Sequence, residues 1–262
     1  MTVGEAVLLG FIQGLTEFLP VSSSGHLVII QVFLRLKENI TFDVFLHIAT
    51  LLAVIWAYRA DLVALLKSDK IGKGDQPIPK WRFLAFIAIS LIATGVVWPF
   101  KDKLETLFET INGVRVFLII NALGLGFLPL LKRGAKGLGS LNWLGAIIIG
   151  LAQAIGAFPG ISRSGSTIIA GLLLGLKPSE ACRYSFLLAI PTILIAAVTQ
   201  IPDALTSGSM PALGPAFAGF LVALVVGVIS IPFLVGIVEK GKLWGFAIYC
   251  GIVGIALFLV PI

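Results

Sequence analysis

Glu17 stands inside an apolar stretch, one helical turn after Gln13. A carboxylate at that depth is costly unless paired, so it is a functional candidate by default. Residues four apart share a helix face, and the oxygens of Gln13 and Glu17 suit a hard divalent cation such as Mg²⁺ or Ca²⁺. A buried capping or hydrogen-bonding pair is the plainer alternative. Pro20 follows, then Ser22-Ser23-Ser24-Gly25-His26 just before an apolar run. Proline followed by serines reads as a helix start, whose free N–H groups and positive dipole end attract anions. Ser22, Ser24 and Gly25 are therefore phosphate-binding candidates. His26 lies one turn from Ser23, so the spacing predicts an imidazole able to approach that hydroxyl. Serine and glycine in apolar helices also serve close packing.

A later segment repeats the arrangement as Pro159-Gly160-Ile161-Ser162-Arg163-Ser164-Gly165. Arg163 occupies the place of Ser23, and its fork of donors matches phosphate oxygens. Ser162, Ser164 and Gly165 are the second set of candidate phosphate binders. A carboxylate for metal, anion donors and a hydroxyl beside an imidazole are the parts of a phosphoryl-transfer site.

The two segments are 140 positions apart: Gly10, Gln13, Phe18, Ser22, Ser24 and Gly25 align with Gly150, Gln153, Phe158, Ser162, Ser164 and Gly165. Apolar stretches broken at corresponding points are the trace of an inverted repeat whose broken helices build a midplane site. Non-helical backbone is tolerated there only inside protein or along a cavity. The regions 3–35 and 141–176 are read as re-entrant hairpins. Six further stretches, 41–58, 83–100, 114–131, 184–201, 215–238 and 243–261, approach the ~20 residues of a membrane span. The expected fold is an all-α polytopic membrane protein, a single membrane domain over 1–262. It has two inverted-topology repeats, about 1–135 and 141–262, each one hairpin plus three transmembrane helices.

Composition agrees: 58% of residues are hydrophobic, 12% are charged, and mean hydropathy is +1.06, which excludes an ordinary soluble domain. The N-terminus lacks a basic region and does not read as a signal peptide. Cys182 and Cys250 offer no disulfide framework. The net charge of +6 sits in loops, which speaks for membrane-lipid contact and against nucleic-acid binding. Thirteen Lys and Arg residues, including Arg59, Lys67, Lys73, Lys132, Arg133 and Arg183, fall on one side, against Arg35, Lys37, Lys101, Lys103 and Arg115 on the other. That asymmetry predicts a cytoplasmic 59–82 loop and both termini outside. Trp56, Trp81, Trp98, Trp143 and Trp244 fall near span ends, as interfacial anchors do. Asp43 and His47 are placed near the first break, with a structural role the commoner one for such a histidine. Asn121 and Thr192 read as packing or backbone-satisfying groups.

The motifs Gln13-Gly-Leu-Thr-Glu17, Ser22-Ser23-Ser24-Gly25-His26 and Pro159 to Gly165 together resemble the undecaprenyl-diphosphate phosphatase family, the bacitracin-resistance phosphatases of cell-wall synthesis. The resemblance spans nearly the whole chain. It implies hydrolysis of a C55 polyprenyl diphosphate to the monophosphate and phosphate at the plasma (inner) membrane, in a site open to the outer face. It implies that Glu17 and Gln13 belong to a metal-dependent motif, Ser23 is the nucleophile, His26 its partner, and Arg163 a phosphate binder. The spacing alone leaves attack by Ser23, His26 or water open. It also leaves open a polyprenyl-phosphate flippase, because inverted repeats with broken helices are a transporter architecture. Oligomeric state is not legible, a homodimer included.

Overall fold

The computed structural model describes residues 1–36, 39–71, 76–96, 111–128, 134–206 and 212–259. Among these the regular elements are helices except for one small pair of strands. Helix α1 runs Val3–Thr16 and starts at a capping box, in which Thr2 accepts from the Glu5 N–H and the Glu5 carboxylate accepts from the Thr2 N–H. Both orphan donors are thus satisfied. After the break at 17–22 comes α2, Ser23–Phe33, then α3, Ile40–Ala57, capped by Asn39. Helix α4, Arg59–Lys67, continues from α3 with a bend of 64°. Strands β1, Lys70–Ile71, and β2, Ile78–Pro79, pair antiparallel with Lys70 opposite Pro79. Then follow α5, Lys80–Thr94, and α6, Ile111–Phe127. The second half holds α7, Trp143–Ile155, capped by Asn142; α8, Arg163–Leu173; α9, Pro178–Thr206; α10, Leu213–Glu239; and α11, Trp244–Leu259.

Within the described residues the expected spans fall on helices; 97–100, 129–131 and 260–261 lie outside them. By length and composition, however, two described helices can cross a bilayer, Pro178–Gln200 and Leu213–Glu239, or three if α3 and α4 form one bent span. The described parts of α6 and α11 are 17 and 16 residues long. The 59–82 stretch, read as a plain basic loop, carries α4 and the strand pair instead. Its apolar residues explain this, since Ile71 and Ile78 are buried against Leu138 and Phe83. Lys37, Lys73, Trp98, Lys101, Lys103, Lys132 and Arg133 lie outside the described residues. Cys182 and Cys250 are buried free thiols, as expected.

Two packing relations position the site. Helix α1 lies along α10, and α7 lies along α5, so the first arm of each broken pair packs on the opposite half of the chain. Helix α3 packs on both α9 and α10, closing the bundle behind the first break. There Phe18, Leu19 and Val21 are buried with Val114, Leu118, Phe186 and Ile231. Gly10 makes the first relation possible: a Cβ there would collide with the Gly219 backbone.

Candidate active site

The breaks end in helix starts built alike. Ser22 caps α2 by accepting from the Gly25 N–H, and Ser162 caps α8 by accepting from the Gly165 N–H. Serine suits this position because its oxygen satisfies a donor that the helix leaves free. The two turns are tied to each other. Ser22 Oγ accepts from the Gly160 N–H at 2.9 Å, and Ser162 Oγ donates to the Leu19 carbonyl at 3.3 Å. Gly160 has φ +101 and touches Val114 and Phe117 so closely that a Cβ would not fit. Asn121 of α6 clasps both turns, donating to the Pro20 carbonyl at 2.8 Å and accepting from the Ser162 N–H at 3.2 Å. Its reading as a backbone-satisfying group therefore holds.

At this junction sits Glu17, buried. Its Oε1 accepts from Arg163 Nη2 at 2.6 Å, and its Oε2 accepts from the Ser23 hydroxyl at 2.6 Å and from Gln13 Nε2 at 3.1 Å. His47 Nε2 stands 3.9 Å from Oε2, while His47 Nδ1 donates to the Asp43 carbonyl. Residues 146 positions apart thus form one ion pair, in a setting where either charge alone would be destabilising. Glu17 is the floor; Ser23, Arg163 and His47 are partly open above it. Among the described residues, two buried polar atoms of this group have no partner: Arg163 Nη1, a donor, and Gln13 Oε1, an acceptor. Buried polar groups are nearly always paired, so each of these two atoms has bonding capacity that the protein chain does not use.

The structure therefore brings together Gln13, Glu17, Ser23 and Arg163. The other candidates are turned elsewhere. His26 does not approach Ser23, contrary to the spacing argument. Its Nδ1 donates to the Ser22 carbonyl at 2.7 Å and its Nε2 meets the Tyr249 hydroxyl at 2.8 Å. The reason is local: a ring one turn along reaches back to the cap carbonyl, and Ser23 is already held by Glu17. Ser162 and Ser164 share a hydrogen bond and both point at the Leu19 carbonyl, while Ser22 and Ser24 pair at 3.3 Å. Gly25 and Gly165 offer their N–H groups to the cap serines. Sequence reasoning missed Tyr249 altogether. Its only sequence signal was a polar hydroxyl in an otherwise apolar last helix.

The fold and this junction define a class: a helical membrane-type protein whose broken helices meet at a buried carboxylate–guanidinium–hydroxyl cluster. The model of the family described as bacitracin resistance protein BacA matches residues 6–256, and the chain belongs to that family. It is 38% identical over 271 residues to the undecaprenyl-diphosphatase of Methanobrevibacter smithii, covering 99% of this chain and 98% of that one. Undecaprenyl-diphosphatase 2 of Bacillus thuringiensis is 39% identical over 95% of this chain and 94% of its own. The undecaprenyl-diphosphatase of Korarchaeum cryptofilum is 39% identical over 98% of each chain.

Proposed function

We propose that this protein is a membrane-embedded undecaprenyl-diphosphatase that converts the C55 polyprenyl diphosphate to the monophosphate and phosphate. The observation that carries this reading is the Glu17 cluster, with a hydroxyl already hydrogen-bonded to a carboxylate and a spare buried guanidinium donor beside it. Family membership and the activity for which the relatives are named, undecaprenyl-diphosphatase, support the substrate.

The carboxylate partner of Ser23 suggests the proton path. Ser23 Oγ bonds to the terminal phosphorus while its proton passes to Glu17. The bond from that phosphorus to the bridging oxygen breaks, and the polyprenyl monophosphate leaves. Water then displaces the phosphoryl group from Ser23, which recovers a proton from Glu17 as phosphate departs. Arg163, through the free Nη1, steadies charge on the non-bridging oxygens, where a preorganised donor acts most strongly. Glu17 thereby serves as the base in place of His26, which the spacing had set beside Ser23 as base or orienting partner.

A divalent cation, Mg²⁺ or Ca²⁺, fits the same place in one respect: Gln13, which meets Glu17 through Nε2, keeps its Oε1 unpartnered, and that oxygen and the carboxylate are donors of the kind a hard ion takes. Mg²⁺ commonly binds through one or two carboxylates with water and substrate phosphate completing its shell. Gln13 and Glu17 would hold it, and it would supply further neutralisation of phosphate charge. The reciprocal packing of α1 on α10 and α7 on α5 supports the inverted-repeat reading. The 13-to-5 basic asymmetry supports an inner-membrane orientation with the termini outside and the site open to the outer face. The test is phosphate release from C55 polyprenyl diphosphate by purified protein in detergent, with and without a chelator. Release that falls on chelation and returns with Mg²⁺ or Ca²⁺ is expected. No release under any condition would overturn the hydrolase, and full release in chelator would remove the metal.

A further inference from the structure

We propose that Tyr249, on the last helix, is a positioning residue for hydrolysis, acting through His26 and the Ser22 backbone on the Ser23 hydroxyl. The activity arm of this proposal rests on the diphosphatase reading above. Ser22 has φ +71 and ψ 100, in a region where a residue with a Cβ is strained. Such a conformation persists only where its surroundings over-determine it. Its carbonyl accepts twice from one residue, from the His26 N–H at 3.2 Å and from Nδ1 at 2.7 Å. A carbonyl can only accept, so Nδ1 carries the proton. In the neutral ring Nε2 is then a bare lone pair, and the Tyr249 hydroxyl donates to it at 2.8 Å. The two rings lie nearly parallel, 13° apart, with the imidazole buried and Tyr249 more open. Both ring nitrogens are spent, and neither is left for Ser23. What the imidazole does hold is the carbonyl of the residue next to Ser23.

The second break supplies the control. There Ser162 has an ordinary φ of −84, and the residue corresponding to His26 is Ser166, which has no ring to offer. The strut occurs at the break whose backbone is strained, and that break carries the reactive hydroxyl.

The chain has two histidines, His26 and His47, so ¹⁵N-histidine NMR of the full protein in detergent or nanodiscs resolves each ring, with His47→Gln giving the assignment. Wild-type His26 should carry its proton on Nδ1, and Tyr249→Phe should shift Nε2 and lower kcat about tenfold with little change in KM. Small misplacements of reacting groups cost up to about 10²-fold. His26→Asn, whose amide can donate to the Ser22 carbonyl as Nδ1 does, should keep far more turnover than His26→Ala. Unmoved His26 resonances in Tyr249→Phe, a shift with wild-type kcat, or His26→Asn as inactive as His26→Ala would each overturn the proposal. Wild-type protein that releases no phosphate would defeat the hydrolase reading instead, and the resonances would still decide whether Tyr249 holds His26.

Discussion

At the first break Glu17 is buried and takes hydrogen bonds from Gln13, Ser23 and Arg163. At the second, 140 residues on, the corresponding residue is Ala157, which is exposed and has no polar side chain. The glutamines diverge in the same way. Gln13 donates to the Glu17 carboxylate, whereas Gln153 donates to the Thr94 and Thr192 hydroxyls at 2.9 and 3.1 Å. Capping serines and close backbone contacts are shared; charge is not. On the proposed mechanism the first break holds the chemistry, and the second holds the first in place while lending it Arg163. Two similar breaks keep the same backbone rules because every buried N–H and C=O must be paired. The side chains that carry no such pairing are free to specialise.

Substitutions at corresponding positions can break that comparison. The largest effect is expected at Glu17→Gln, which removes the proton acceptor of Ser23 and leaves Arg163 without a counter-charge. Loss of a positioned acid–base group costs ~10²–10⁴-fold, and an uncompensated buried charge costs about 3–5 kcal/mol of stability. Phosphate release and a thermal melt of the purified variant check both. Near-normal turnover would take Glu17 out of the mechanism. Arg163→Lys should follow, with turnover lower by about 10²–10³-fold, the scale of one preorganised donor. A lysine cannot contact Glu17 and a phosphate oxygen through two prongs of one plane; if it supports normal rates, Arg163 is a counter-charge only.

The glutamine pair sharpens the contrast at smaller amplitude. Gln13→Ala loses a hydrogen bond to a charged group, about 1.5–3 kcal/mol, and should appear in kcat/KM. Gln153→Ala should leave kcat/KM unchanged and lower stability by ~1–2 kcal/mol through its two hydroxyl partners. Equal kinetic losses would mean that both breaks take part in the reaction. Smallest of all, Ser162→Ala removes a helix cap and should cost about 1 kcal/mol in the melt.

Much of this was legible in the sequence. Two Pro/Gly/Ser interruptions in apolar runs placed both breaks, because only buried or cavity-lining backbone can leave the helix at that depth. The same logic marked Glu17 and Arg163, each expensive to bury alone. What the sequence did not show was that they neutralise each other, since 146 residues separate them. Spacing favoured His26 over Glu17 as the partner of Ser23, because a one-turn offset looks like contact. The ring chose the cap carbonyl and Tyr249, 223 residues away, and no local pattern announces such a meeting. Asn121 was read correctly as a backbone group, but its clasp on two distant turns follows only from how α6 crosses them. Residues 59–82 looked like a charged loop because Arg59, Lys67, Lys70, Lys73, Lys80 and Arg82 all fall in them, while the buried Ile71 and Ile78 anchor the two strands.

The claim that both breaks build one site is tested most directly by a double-mutant cycle between Glu17→Gln and Arg163→Gln, read as kcat/KM for phosphate release. Groups that act as one unit give strongly non-additive losses. The account predicts that the double variant is no worse than the weaker single variant, since each single change strands the other charge. Losses that multiply would contradict it, and would mean that Glu17 and Arg163 act independently in two separate places.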